Sequence, residues 1–205
     1  MIRIFGDSIS GNCLKVKWVA ERLGLAHEWI EIDILKGETR TDAFLALNPF
    51  GQVPVVQFDD GRTLSQSNAI ILHFAEGSDL VPADAFERAK MLEWMFWEQY
   101  SHEPTIAVRR FQKHYLKKSD DAIDADLLAK GRRALGRMEM ALISSDFIAG
   151  GAAISLADVA LLAYTRLAHE GGFDLDDFPA VHSWVARCEL ELGLPHLHGV
   201  THVPV

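Results

Sequence analysis

The chain has 205 residues, 49% of them apolar, enough for one large domain or two small ones. Its formal net charge of −9 argues against non-specific binding to nucleic acid or to an anionic membrane surface. Two cysteines, Cys13 and Cys188, make neither a disulfide framework nor a zinc site. With no leader-like segment, they point to a reducing cytoplasm. No apolar run approaches the roughly 18–20 residues needed to span a bilayer.

The first third mixes two periods. Arg3-Ile4-Phe5 is a short β-type run ending at Gly6-Asp7. Ser10-Gly11-Asn12 opens a helical pattern of Leu14, Val16, Trp18, Val19 and Leu23, closed by Gly24. Residues 27–34 alternate, with Trp29 to Ile34 reading as a strand, and Asp42 to Leu47 reads as a short helix. Val53 to Phe58 is a third strand. Arg62-Thr63-Leu64 is a fourth, joined to it by the hairpin-forming Asp60-Gly61. Ser67 to Glu76 is a helix. The order is βαβαββα, with the first two strands parallel across a helix and the last two a hairpin.

After a polar linker, residues 78–82, everything reads as helix. Ala83 to Lys117 is long, with Met91, Leu92, Met95, Phe96 and Tyr100 expected on one face and a kink or break expected at Pro104. Ala122 to Ile143 follows. Ser155-Leu156-Ala157-Asp158 is a capping box, with Ile154 and Val159 placed as its hydrophobic staple, opening a helix to about His169. A last helix starts near Pro179 and ends near Gly193. The fold class is therefore α/β plus all-α, a small domain over 1–77 followed by an all-helical one over 83–205.

The segment Asn48 to Ala75 concentrates the chemistry. Val53-Pro54 precedes a β-type run, and Gln66-Ser67 stands at a helix mouth. A strand-start proline beside a helix N-terminus rich in hydrogen-bonding groups makes a pocket for a small peptide-like anion. By residue type alone, Pro54 also reads as a trans proline at a strand edge, and Ser67 as a plain N-cap.

On these motifs the chain resembles the glutathione S-transferase superfamily over essentially its whole length. The family marker of V-P, then [E/Q]-S-x-A-I about a dozen residues on, stands here as Val53-Pro54 and Gln66-Ser67-Asn68-Ala69-Ile70. The Ser155/Asp158 box matches the family's motif in the second domain. The entrance Ser10-Gly11-Asn12-Cys13 looks most like the serine-type and bacterial branches, such as theta and nu.

The resemblance implies a thioredoxin-like first domain with Pro54 cis, turning Val53 outward to pair with glutathione as an added strand would. Gln66 and Ser67 would hold the γ-glutamyl end. Gln66 replaces the commoner acidic residue, so weaker affinity is expected, by ~1 kcal/mol. For the glycyl carboxylate the corresponding residues are Gln52 and the loop with Lys36, Thr39 and Arg40. Thr39 stands where a theta relative has histidine, and Lys36 and Arg40 read equally as solvated surface charge. Ser10 and Asn12 would stabilise the glutathione thiolate, the nucleophile. Ser10 reads alternatively as an ordinary N-cap. Cys13 reads as a small buried apolar residue. A second substrate would lie between the domains, with Trp97, Tyr100 and Arg109 foremost among the wall residues. Aromatics at this spacing also serve cores and subunit interfaces.

The expected function is a cytoplasmic, homodimeric glutathione transferase of the detoxification type, with glutathione as co-substrate and a small hydrophobic electrophile as its target. The alternatives are a nu-like glutathione-dependent disulfide reductase, a non-catalytic binding or regulatory protein, and an isomerase. No metal is expected: the nine histidines show no ligand spacing, and His196, Leu197, His198 and His202 read as a loose tail.

Overall fold

A computed structural model describes residues 1–197, and the chain divides into two compact units, Met1–Val81 and a second from Pro82 onward. His198 and His202 lie outside the described residues.

The first unit is a four-stranded mixed sheet in the order β2-β1-β3-β4, formed by β1 (Ile2–Gly6), β2 (His27–Glu31), β3 (Val55–Gln57) and β4 (Thr63–Ser65). β1 and β2 are parallel, because α1 (Gly11–Arg22) crosses over between them. β1/β3 and β3/β4 are antiparallel. The period of two divides β1: Phe5 pairs with Val55 and Ile4 with Val56, on opposite faces. Phe5 and Val55 pack with Phe44 of α2 (Asp42–Leu47) and with Ile30, Ile32, Leu47 and Val53. The other face, carrying the fully buried Ile4 and Val56, is left to α1 and α3 (Ser67–Phe74), which pack on one another. Gly6 is fixed by close approach, since a Cβ there would stand 2.5 Å from the Trp29 ring.

β2 stops at Glu31, three residues short of the expected Ile34. At that point the chain turns to the buried Asp7, whose Oδ2 accepts the Ile34 N–H at 3.0 Å and whose Oδ1 accepts the Ile9 N–H at 2.9 Å. β3 is likewise shorter than expected, because Val53 and Pro54 precede the ladder.

In the second unit, α4 (Ala85–Trp97) is capped by Asp84, whose carboxylate accepts the Phe86 and Glu87 N–H groups. A π-helical turn, Glu98–His102, leads directly into α5 (Glu103–Arg110), and a second, Phe111–Tyr115, ends the run. At Pro104, where a kink or break is expected, the helical run continues. The turn before it is widened, which relieves the clash of the ring with the carbonyl four residues back. The expected apolar face also needs correction. Met91 and Met95 are buried, but Phe96 and Tyr100 are 72% and 87% exposed. The buried stripe runs Met91, Trp94, Met95, Glu98, His102, Thr105, Ile106 and Arg109, a steady helical period whose later members are polar.

Those polar groups have partners inside the unit. His102 Nε2 lies 2.9 Å from the Thr165 hydroxyl, which donates to Leu161 O. Arg109 Nε donates to Gly171 O at 2.8 Å. α6 (Ala125–Leu142) starts later than expected, because Asp120–Ala122 forms its own 3-10 turn. α7 (Leu156–Thr165) is buried throughout and opens at the capping box expected from the sequence. Its Asp158 accepts from Ser155 N, Ser155 Oγ, Ile148 N and Trp184 Nε1 at 2.8–2.9 Å. α8 (Pro179–Glu191) has no cap of its own, and Glu139 of α6 accepts its Ala180 and Val181 N–H groups at 3.0 and 2.9 Å.

Candidate functional site

The site in the first unit is built where two helices begin. α1 starts at Ser10, whose backbone is extended and whose side chain makes no capping bond to the helix. Burial pushes the Cys13 thiol up to about 12, against smaller downward pulls from hydrogen bonds to the Asp7 backbone and the Ser10 side chain. Cys13 is fully buried and is no nucleophile.

α3 starts at Ser67. The residue before it, Gln66, has φ +71° and ψ 108°, a conformation that side-chain-bearing residues rarely adopt. Such strain, on the order of 1–3 kcal/mol, collects at functional sites. Gln66 is exposed and Ser67 is buried. The Ser67 hydroxyl donates to Asn12 Oδ1 at 3.1 Å, so the first turns of α1 and α3 are joined by side chains. The same Asn12 oxygen accepts from Lys15 Nζ at 2.9 Å, and Lys15 is fully buried.

The edge beside them is the loop before β3. Val53-Pro54 is a cis peptide, and the Val53 backbone pairs with neither β1 nor β4. Asn48, itself buried, shapes this loop: its Nδ2 donates to Gln52 O at 2.7 Å and its Oδ1 accepts from Phe50 N. Gly51 takes φ +61°, and a Cβ there would meet the Arg40 guanidinium at 2.5 Å, so Arg40 lies over this loop. Among the described residues Arg40 has no ion pair. Thr39 is buried, with its carbonyl beside Gly51. Lys36 is exposed and pairs with Asp33 at 2.9 Å.

Ser10, Asn12 and Ser67 thus share the two helix starts, while Gln52, Val53, Pro54, Thr39 and Arg40 share one loop region. Lys36 stands apart, committed to Asp33. Sequence reasoning missed Asp7 and Lys15. The signal for Lys15 was present: it follows Asn12 by three residues in a helix, and so shares its face.

In the second unit, Trp97 and Tyr100 line a cavity of about 340 Å³ together with Thr105, Lys130, Arg133 and Arg137. Arg109 does not line it. It is buried and committed to Gly171 and Asp120. Among the described residues no cluster could hold a metal ion, and no helix is long and apolar enough to cross a membrane.

Residues 9–76, which contain this whole constellation, match the family model "Glutathione S-transferase, N-terminal domain". A crystal structure of a glutathione S-transferase from Pseudomonas fluorescens Pf-5 superposes with a TM-score of 0.88. It is 42% identical and covers 99% of this chain and 98% of that one. Glutathione S-transferase 3 of Zea mays is 31% identical over 158 residues, 73% of this chain and 70% of that protein. The disulfide-bond oxidoreductase YfcG of Escherichia coli K12 is 26% identical over 183 residues, 86% of this chain and 85% of that protein. The chain belongs to the glutathione S-transferase superfamily, with a thioredoxin-like first domain followed by an all-helical one.

Proposed function

We propose that the protein binds glutathione across the two helix starts and the cis-proline loop, and activates its thiol for attack on a small hydrophobic electrophile. The observation that supports the reading is the Ser67–Asn12 hydrogen bond of 3.1 Å, which joins the first turns of α1 and α3 through their side chains. The γ-glutamyl carboxylate is assigned to the start of α3 and to Ser67, whose hydroxyl would turn its one proton from Asn12 to the carboxylate, with Gln66 accepting from the ammonium. The peptide part pairs with the Val53 backbone, shaped by Pro54 and Gln52. The glycyl carboxylate is assigned to Arg40, supported by its position over Gly51, with Thr39 alongside and Lys36 outside the contact.

Ser10 and Asn12 then act on the sulfur. A hydroxyl and an amide at a helix start stabilise the thiolate over the thiol and so raise the fraction of reactive species near neutral pH. The thiolate attacks the electrophilic carbon, the leaving group departs with the bonding pair, and a thioether forms. Trp97 and Tyr100 are assigned to the electrophile through the cavity they line, and Arg109 is not. A homodimer in a reducing compartment completes the reading, and two buried, unpaired thiols suit that compartment.

A second reading shares the site and differs in the acceptor. Glutathione thiolate attacks a disulfide sulfur, one thiolate leaves, and a second glutathione releases the other half as its thiol, with oxidised glutathione as the product. The similarity to YfcG favours it. One experiment tests both: Ser10→Ala and Asn12→Ala beside wild type, over aryl halides and hydroxyethyl disulfide, with glutathione binding by calorimetry. Both variants are expected to lose rate with binding retained. Rates unchanged in both remove the thiolate-stabilising role, and no binding at millimolar glutathione removes the enzyme reading altogether.

A further inference from the structure

The amide of Asn12 has two edges, and their chemistry is opposite. Its oxygen only accepts hydrogen bonds and its nitrogen only donates them. A neutral hydroxyl such as that of Ser67 can face either edge, because it both donates and accepts. An ammonium cannot, since it carries three donors and no acceptor. Lys15 Nζ stands 2.9 Å from this amide, on a side chain with no solvent exposure. The atom facing Lys15 is therefore the oxygen, and the N–H edge is directed away from it. The Ser67 hydroxyl then donates to the same oxygen at 3.1 Å and keeps its lone pairs for other donors.

The spacing explains why this contact is built in. Asn12 and Lys15 are three residues apart in α1, which puts them on one helix face in the first turn. A fully buried lysine is costly unless it is hydrogen-bonded. A residue that only packed the helix would carry no nitrogen at this position, as Val16 and Val19 do not.

We infer that Lys15 is a positioning residue, which locks the Asn12 amide with its oxygen inward and so presents the N–H edge to the sulfur of a bound thiol. This rests on the reading of the site given above. It assigns a direction to Asn12: a donor toward sulfur, held by a group that makes no contact with the ligand. Lys15 disfavours the flipped amide, whose oxygen would repel a thiolate.

The test compares Lys15→Met, close in volume and unable to donate, with Lys15→Gln, which donates or accepts. Each is made alone and with Asn12→Ala. Three readouts are taken: kcat/KM against pH, glutathione affinity by calorimetry, and the side-chain amide resonances of Asn12 by NMR. Lys15→Met is expected to lower kcat/KM about tenfold, to move its rising limb up by about one pH unit, and to leave glutathione affinity within about twofold. With Asn12→Ala already present it is expected to add nothing. Equal losses in both backgrounds, or an unmoved pH limb, overturn the proposal. Should Lys15→Met fail to fold, Lys15→Gln is read by the same criteria, with a smaller loss in the same direction. If the wild type binds no glutathione, the functional reading fails, and the NMR arm still decides for Lys15. One sharp Asn12 amide pair in wild type, shifted or doubled in the variant, supports the lock, and an unchanged pair overturns it.

Discussion

The Ser67 hydroxyl donates to the Asn12 amide oxygen at 3.1 Å, across 55 residues of chain. Neither residue caps its own helix in doing so. Each side chain is spent on the other helix, so the first turns of α1 and α3 are tied to one another.

Ser67→Ala keeps the helix start and removes the hydroxyl. Glutathione affinity is expected to fall about tenfold, the worth of roughly 1.4 kcal/mol for a hydrogen bond to a charged group, with little loss of thermal stability. Titration calorimetry measures the first and a melting curve the second. A large fall in melting temperature with intact affinity would make Ser67 a structural residue only.

Arg40→Ala and Lys36→Ala separate the two cations of one loop. Arg40 lies over Gly51, and Lys36 is engaged with Asp33. The arginine variant is expected to bind glutathione at least about tenfold more weakly, and the lysine variant within about twofold of wild type. The assignment of the glycyl carboxylate to Arg40 does not survive the opposite ranking.

Cys13 provides a pH prediction. Its thiol is held near 12 in the folded chain, mainly by burial, against an ordinary value of 9.0. The folded state therefore keeps a proton that the unfolded chain gives up. The contribution of this group to stability is intact below pH 9 and is lost as the pH rises from 9 toward about 12. Urea denaturation of wild type and Cys13→Ala, compared at pH 7.5 and 10, isolates it from Cys188. Between those two values the wild type is expected to lose about 1 kcal/mol relative to the variant. Thiol reagents at pH 8 are expected to label neither cysteine until the chain unfolds.

Asp158→Ala removes the acceptor of four hydrogen bonds at once, leaving the Trp184 indole N–H and the Ile148 amide buried without it. At about 1–3 kcal/mol for each orphaned donor, a loss of roughly 3 kcal/mol or more is expected in urea denaturation. A loss under 1 kcal/mol would show that water replaces the carboxylate.

The element order, the mixed sheet and the capping box are legible, because each has a local signature: alternation, an Asp-Gly turn, and a serine three residues before an aspartate. The cis bond at Val53-Pro54 has none, since by residue type Pro54 reads as a trans proline at a strand edge, and only the family resemblance implies cis. The long helical run of the second unit was misread for a physical reason. Apolar residues were followed from Met95 to Phe96 and Tyr100, yet the helix turns Glu98, His102, Thr105 and Arg109 inward and leaves those aromatics outside. A buried polar stripe is stabilised by partners such as Thr165 and Gly171, more than 60 residues away, and no window of sequence contains them. In the candidate site, Ser67 is read from its place at a helix mouth, and Ser10 and Asn12 from the family resemblance. Lys15 and Asp7 were passed over because a charged side chain in a short window reads as surface.

The first turn of α8 is completed by Glu139, a side chain some 40 residues earlier. The last helix therefore depends on α6 for its beginning, and a free peptide of residues 178–193 is expected to be poorly helical by circular dichroism. During synthesis this places α8 late in assembly: its acceptor is made some 40 residues earlier, so the helix can dock as it emerges. A chain cut between α6 and α8 would keep the docking surface, and a supplied α8 peptide would become helical on meeting it.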